Sequence, residues 1–407
     1  MIQLSFAPSR IKSSDSLKIS GSKSESNRLL ILQSLYPEIS LQNLSNSRDT
    51  LVLQEVLLSK ERIIEVGHAG TAMRFLTAYL ALNTKTPVIL QGSNRMHQRP
   101  IEVLVDALQS LGAKITYLNN QGYPPLKIEP SVITQGEVYL KASVSSQYIT
   151  ALMLIAPKLN NGLKINLIGK ITSFPYLTMT SQLMKQAGFD VKFNNQVIRV
   201  FSSKSVSSKQ ITIESDWTSA SYIYAAFLLS SMQKLRLSLY FQNSKQGDAY
   251  VVKFFKQFGI ITSYYDNELI LEKENVAFPK HLQLDLIQTP DLAQTFAVLG
   301  LVLGIKMDIK GLSTLKIKET DRIEALKSEM EKLGAQVKTT VDTLKFTSPT
   351  SLQPNQLIRT YQDHRMAMAF ALVAFKTSVK IEAPEVVEKS YPNFWRDLQK
   401  FGIQELA

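Results

Sequence analysis

The chain of 407 residues contains no cysteine, which excludes disulfides, thiolate metal sites and a cysteine nucleophile. Histidine is scarce: the four, at positions 68, 97, 281 and 364, include no pair at metal-ligand spacing, so no metal centre is expected. Long apolar runs are missing too. The longest uncharged stretch, 217–233, carries four serines, a threonine and two tyrosines, and falls short of the roughly 20 apolar residues of a membrane span. The amino terminus lacks the apolar centre of a secretory signal. These absences lead to the expectation of a soluble, cytoplasmic protein. Neither a G-x-x-x-x-G-K-[ST] phosphate loop nor a G-x-S-x-G nucleophile turn occurs.

Acidic residues are also in short supply, 34 Asp and Glu against 46 Lys and Arg, a net charge of +12. Such an excess points to anionic partners. A nucleic-acid surface groups its cations in blocks with interleaved aromatics, whereas here most lysines stand singly. Small phosphorylated ligands fit the pattern better. With 44% hydrophobic and 20% charged residues, the composition supports a sizeable core in two or three domains.

What is present is a repeat. Segments that open on small or polar residues and run into an apolar stretch begin at 70 (GTAMRFLTAYLAL), 145 (SSQYITALMLIAP), 218 (TSASYIYAAFLL), 291 (DLAQTFAVLGLVLG) and 364 (HRMAMAFALVAF), about 72 to 75 residues apart; SKSESNRLLILQSL at 22 is a first member. Between them lie amphipathic segments that end at glycines 112, 188, 259, 334 and 402. Glycine suits the left-handed residue just past a helix end. In the fourth of these segments Ile323, Leu326, Met330 and Leu333 keep helical spacing, and Asp321 with Glu324 resembles a capping box. Two segment classes sharing one period argue for six α/β units. The polar stretch 202–210 (SSKSVSSKQ) falls between the third and fourth units and is the candidate domain boundary.

The buried-type helices begin with cations or small polar groups. A helix start offers unpaired N–H groups and partial positive charge, and therefore receives anions. Lys23 and Arg28 stand in GSKSESNR, Arg74 in GHAGTAMR and Arg365 in DHRMAM. Ser145, Ser146 and Gln147 open another helix, and Arg95 and Arg99 flank NRMHQRPI. Lys318, Glu319, Asp321 and Arg322 cluster in KIKETDRI. Each alone reads as an ordinary turn or solvated helix start.

Together with TSFPY, SDWTSASY, TPD and the lysine of VVEKSYP, these motifs run in one order along nearly the whole chain. In that order the chain resembles the EPSP synthase (5-enolpyruvylshikimate-3-phosphate synthase) family. The resemblance implies an α/β (α+β) protein of two similar domains, each of three βαβαββ repeats arranged as an inside-out α/β barrel, the enolpyruvyl transferase fold. It implies domains 21–213 and 1–20 plus 214–407, with the active site in the cleft between them and closure about a hinge near 213. It further implies transfer of the enolpyruvyl group of phosphoenolpyruvate to the 5-hydroxyl of shikimate 3-phosphate. No metal or organic cofactor, nucleic acid or membrane is involved, and a monomer is expected.

Carried over position by position, the shikimate 3-phosphate shell is Lys23, Ser24, Arg28, Ser145, Ser146, Gln147, Ser173, Tyr176, Asp291, Thr314 and Lys318. The phosphoenolpyruvate shell is Lys23, Gly70, Arg95, Gln147, Arg322, Arg365 and Lys389. Asp291 resembles the base for the hydroxyl proton, and Glu319 the acid that protonates carbon, assisted by Lys318 and with Lys23 shared by both ligands. Glu319 is then expected to have a raised pKa, while Glu25 and Ser26 are left as solvated cap residues.

Three positions depart from the family pattern. Thr314 stands where many members have Asn or His, His97 where lysine is frequent, and Phe75 where many carry proline. Phe75 leaves open the response to glyphosate, which targets this family. The sister transferase acting on UDP-N-acetylglucosamine is the alternative; it typically uses a cysteine, absent here. A basic nucleic-acid-binding protein is the more distant one.

Overall fold

The computed structural model describes residues 1–6, 16–142, 145–169, 171 and 174–406. Two compact units divide the chain. One is Gly21–Ile213; the other, composite, is Met1–Ser20 with Glu214–Ala407. Each has its own apolar core.

Both units are built from one pattern, seen plainly in 63–129. Strand Ile63–Glu65 pairs in parallel with Val88–Gln91, helix Gly70–Asn83 making the crossover. Helix Glu102–Ser110 and the hairpin Lys114–Tyr117/Leu126–Glu129 follow, with the hairpin's second strand antiparallel to Val88–Gln91. The parallel pair needs the long helical crossover, whereas the antiparallel pair needs only a short turn. The same strand order recurs in 137–200 and 281–347. Strands such as Glu137–Lys141 alternate exposed and buried residues, so each sheet turns one face to the helices.

The remaining sheets recruit distant strands. Ser16–Leu17 supplies the first strand beside Lys234–Ser238. The amino-terminal strand Ile2–Phe6 lies inside the last sheet, between Val379–Ile381 and Ile403–Leu406, with Leu4 opposite both Val379 and Glu405. In the 21–213 unit, Lys209–Thr212 lies parallel to Ile39–Gln42, and these two strands form the whole of the first repeat's sheet among the described residues. Among the described residues, five sheets are therefore four-stranded and one is two-stranded.

The helices have the ends that the repeat called for. Gly112, Gly188, Gly259, Gly334 and Gly402 all have positive φ, between 75° and 111°. Asp321 caps helix Arg322–Lys332, accepting from the N–H groups of Ile323 and Glu324. The Glu324 carboxylate instead accepts from Thr339 Oγ1 at 3.0 Å, so the capping box is only half formed. Among the described residues no helix is long and apolar enough to cross a membrane.

Candidate active site

In the 21–213 unit three helix starts carry the candidate residues. Ser22 caps helix Lys23–Leu35 by accepting from Glu25 N, and Ser145 caps Ser146–Ile155 by accepting from Gln147 N at 3.3 Å. Helix Gly70–Asn83 has no side-chain cap. Gln147 Nε2 donates to Thr71 Oγ1 at 3.1 Å, which ties the second start to the third.

Lys23 lies 3.4 Å from Asp49 Oδ2. Arg28 is 3% exposed; its Nε donates to Thr180 Oγ1 at 2.8 Å, its Nη1 to the Ser24 carbonyl at 2.7 Å, and its guanidinium sits 5.6 Å from the Phe75 ring centre. Burial lowers its pKa to about 10, a loss of charge preference that the nearby Tyr176 and Glu25 oppose. Arg28 therefore joins helices Lys23–Leu35, Gly70–Asn83 and Phe174–Gln186. Arg95 is exposed and donates to Gln98 Oε1 at 3.0 Å. Ser173 and part of the SVSSQ motif, 143–144, lie outside the described residues.

Two readings of this unit need correction. Glu25 and Ser26 are not solvated: they are 3% and 0% exposed, because the first helical turn packs onto the segment after Gln42. Ser26 Oγ accepts from Ser45 N at 2.9 Å, and Asn27 Oδ1 from Thr50 Oγ1 at 2.8 Å. The cap is Ser22 instead. Arg74 has a structural task, since its Nη1 donates to the Gly70 carbonyl at 3.2 Å and its Nη2 to that of Pro100 at 3.1 Å, clamping the 96–100 segment to the helix start.

In the composite unit the chemistry is denser. Arg322, at the start of its helix and 2% exposed, contacts three carboxylates: Asp363 Oδ2 at 2.6 Å, Glu319 Oε2 at 2.8 Å and Asp291 Oδ1 at 3.3 Å. Burial works against its charge, but Asp363 and Glu319 outweigh burial and hold the guanidinium above its ordinary pKa. Arg365 brings Nη2 to 2.9 Å from Asp291 Oδ2 and Nη1 to 2.9 Å from the Asp291 carbonyl. Lys389 Nζ lies 3.0 Å from Glu319 Oε1, and Lys318 Nζ 3.8 Å from Asp291 Oδ1. Burial pushes the Lys318 pKa down and Asp291 pulls it back up. Thr314 Oγ1 is buried with no hydrogen-bond partner among the described residues.

Glu319 thus has a cation on each carboxylate oxygen. Two carboxylates were also missed by sequence reasoning. Asp363 is fully buried, anchors Arg322 and caps helix His364–Phe370 by accepting from Arg365 N at 2.9 Å; an Asp directly before a helix was the available signal. Asp248 accepts from the Thr218 hydroxyl, and burial together with the Asp291 charge raises its pKa to about 7.

Each unit therefore holds cations that a multiply charged anion could engage. In the composite unit the same cations already hold the carboxylates of Asp291, Glu319 and Asp363 in fixed positions, a setting suited to proton transfer beside bound anions.

A family model described as EPSP synthase (3-phosphoshikimate 1-carboxyvinyltransferase) matches residues 52–398. The chain is 43% identical to the 3-phosphoshikimate 1-carboxyvinyltransferase of Bacteroides fragilis strain YCH46, covering 99% of this chain and 98% of that protein. It is 33% identical to the protein of the same name from Haemophilus ducreyi, with 94% and 95% covered. A solved structure of EPSP synthase from Acinetobacter baumannii matches over 100% of both chains with a TM-score of 0.74 at 18% identity, a likeness of fold.

Proposed function

This chain belongs to the EPSP synthase family of shikimate-pathway transferases, and on that premise we propose how its residues divide the reaction of shikimate 3-phosphate with phosphoenolpyruvate. Lys23, Ser24, Arg28, Ser145, Ser146, Gln147, Ser173, Tyr176, Thr314 and Lys318 bind the shikimate phosphate. Gly70, Arg95, Arg322, Arg365 and Lys389, with Lys23 and Gln147, bind phosphoenolpyruvate. The two substrates bring two carboxylates and two phosphates, about five to six negative charges near neutral pH. Seven cations, Lys23, Arg28, Arg95, Lys318, Arg322, Arg365 and Lys389, offset them.

Asp291 takes the proton of the 5-hydroxyl as its oxygen adds to C2 of the enolpyruvate, and Glu319 delivers a proton to C3. The tetrahedral ketal phosphate so formed then loses phosphate from C2 and a proton from C3, giving the enolpyruvyl ether. The observation that carries this assignment is the Glu319 carboxylate held between Arg322 at 2.8 Å and Lys389 at 3.0 Å. Both cations belong to the proposed phosphoenolpyruvate shell. When the substrate's anionic groups engage them, Glu319 loses electrostatic support for its charged form and its pKa rises. Glu319 thus becomes an acid only when there is a substrate to protonate.

The protein is proposed to act as a cytoplasmic monomer, with no metal, organic cofactor or nucleic acid, and with both units contributing to one reaction. The absence of cysteine favours shikimate 3-phosphate over a UDP-sugar acceptor. The test is phosphate release from purified protein given both substrates. Asp291→Ala should lower kcat at least 100-fold, and Glu319→Gln should do likewise. No release by the wild type would sink the assignment, and near-normal turnover in Glu319→Gln would remove Glu319 from the acid role.

A further inference from the structure

Glu329 is a carboxylate that the proposed reaction does not use, yet it is fully buried. It lies on helix Arg322–Lys332, two turns beyond Arg322 and about 10 Å further along the axis. Its Oε1 accepts from the Tyr361 hydroxyl at 2.6 Å, and its Oε2 from Arg359 N at 3.1 Å and Lys332 Nζ at 2.6 Å. Burial, and then the Glu329 carboxylate itself, raise the Tyr361 pKa to about 12, so this hydroxyl stays a donor near neutral pH. A carboxylate withdrawn from water needs such partners. Here they come from the chain that leaves edge strand Gln356–Ile358.

That chain has an unfavourable backbone. Tyr361 and Gln362 have φ of 53° and 57°, and Asp363 N donates to the Thr360 carbonyl at 2.9 Å, closing a turn. A turn with two left-handed central residues favours Gly, Asn and Asp, and another residue keeps such a conformation only where its surroundings impose it. Thr360 adds to the cost, its Oγ1 being buried with no hydrogen-bond partner among the described residues. The turn delivers Asp363, whose carboxylate accepts from Arg322 Nε at 2.6 Å and from Arg365 N at 2.9 Å. One helix therefore grips this segment twice, at Arg359 and Tyr361 through Glu329, and at Asp363 through Arg322.

We propose that Glu329 is a positioning residue for the donor site: it holds the 360–363 turn in its left-handed form, and that turn aims Asp363 at Arg322 and Arg365. This rests on the reading above, that Arg322 and Arg365 bind phosphoenolpyruvate. Arg322 also faces Glu319 at 2.8 Å and Asp291 at 3.3 Å. With Asp363 fixed, the guanidinium is anchored from behind; with Asp363 displaced, it is drawn onto the two carboxylates beside the substrate and is less available to an incoming anion.

The test compares full-length wild type with Tyr361→Phe, Glu329→Gln, Gln362→Gly and the double variant Tyr361→Phe/Gln362→Gly. Phosphate release is followed against each substrate with the other saturating. Tyr361→Phe should raise KM for phosphoenolpyruvate about 10- to 100-fold, the worth of a hydrogen bond to a charged group, and leave that for shikimate 3-phosphate within about twofold. Glu329→Gln presents an amide where Arg359 N and Lys332 need an acceptor, and should do at least as much; if it does not fold, Tyr361→Phe carries the test. Gln362 is exposed, and Gln362→Gly alone should change neither KM. Glycine takes positive φ freely, so in the double variant it should return KM for phosphoenolpyruvate to within about threefold of wild type. A merely structural role would lower the active fraction, and with it kcat, without this rescue. Hydrogen exchange across 359–367 reads the same turn without substrate: faster in Tyr361→Phe and slowed again in the double variant. An unchanged KM for phosphoenolpyruvate in Tyr361→Phe would overturn the proposal, as would a rise that Gln362→Gly does not reverse. If the wild type releases no phosphate, the functional reading fails on its own, and hydrogen exchange still decides whether Glu329 holds the turn.

Discussion

Asp248 holds a carboxylate that burial, and then the charge of Asp291, push from 3.8 up to about 7, while the Thr218 hydroxyl and Arg365 pull it down. Because this pKa is higher in the folded than in the unfolded chain, the native state binds the extra proton between those two values. The stability it contributes is present below about pH 4 and is lost as pH rises towards 7. Asp248→Asn keeps an acceptor for Thr218 and removes the titration. Its unfolding free energy relative to wild type should therefore grow between pH 4 and 7, by about 1–3 kcal/mol, and level off above. Denaturant melts of both proteins at pH 5 and pH 8 check this; a constant difference would mean that Asp248 is ionised throughout. Phe75 permits a second prediction at this scale. Its ring centre lies 5.6 Å from the Arg28 guanidinium, which also donates to the Thr180 hydroxyl and the Ser24 carbonyl. Such a contact contributes roughly 0.5–2 kcal/mol. Phe75→Leu should raise KM for shikimate 3-phosphate about 3- to 10-fold and leave that for phosphoenolpyruvate nearly unchanged. The reverse pattern in steady-state kinetics would place Phe75 with the donor instead.

At the scale of elements, what could be read from sequence was what is encoded locally. A cap residue and the helix it starts are neighbours in the chain, so Ser145 and Asp321 were legible, as were the five glycines at helix ends. Strand partnership is not local. Nothing near Ile2–Phe6 says that it is an interior strand of a sheet completed by residues 379–381 and 403–406. Nor does the first repeat announce that, among the described residues, its sheet has only two strands. The same limit applied to the site: Asp363 and Arg322 are 41 residues apart, and only the fold brings them to 2.6 Å. Glu25 and Ser26 misled for a related reason, since a polar helix start looks solvated until the segment that covers it is known. The interior position of the amino-terminal strand has a measurable consequence. Deleting residues 1–6 removes buried Leu4 and strands Ile403–Leu406 from its only described neighbour. The composite unit should then lose cooperative unfolding, while 21–213 keeps it. Limited proteolysis read by mass spectrometry should return a protected fragment near 21–213 and peptides from 214 onward; equal protection of both units would contradict this.

For the whole molecule, the important fact is how the chain enters and leaves the inserted unit. Ser215 Oγ donates to the Ile19 carbonyl at 2.8 Å and Asp216 N to that of Ser20 at 3.2 Å, so in the composite unit the two ends of the break are adjacent. In the other unit Asn43 Nδ2 donates to the Ile213 carbonyl at 2.9 Å, and Gly21 lies against Asn43 and Ile213. At each crossing a strand stays behind while the helix that follows belongs to the next unit: Ser16–Leu17 before helix Lys23–Leu35, and Lys209–Thr212 before helix Trp217–Leu229. Each unit is therefore closed within itself, with its own core and with ends that meet. Two separate proteins should be obtainable from it. Residues 21–213 expressed alone, and 1–20 joined to 214–407 through a short Gly-Ser linker, should each melt cooperatively, because neither excision removes a strand or a core residue from the part that remains. The candidate residues, however, are divided between them, with Lys23, Arg28, Gly70 and Arg95 in one and Asp291, Glu319, Arg322 and Arg365 in the other. Neither fragment should release phosphate from the paired substrates. Turnover by one fragment alone would show that the reaction needs only half of the assigned residues. Failure of both fragments to fold would show that the units depend on each other for stability despite their separate cores.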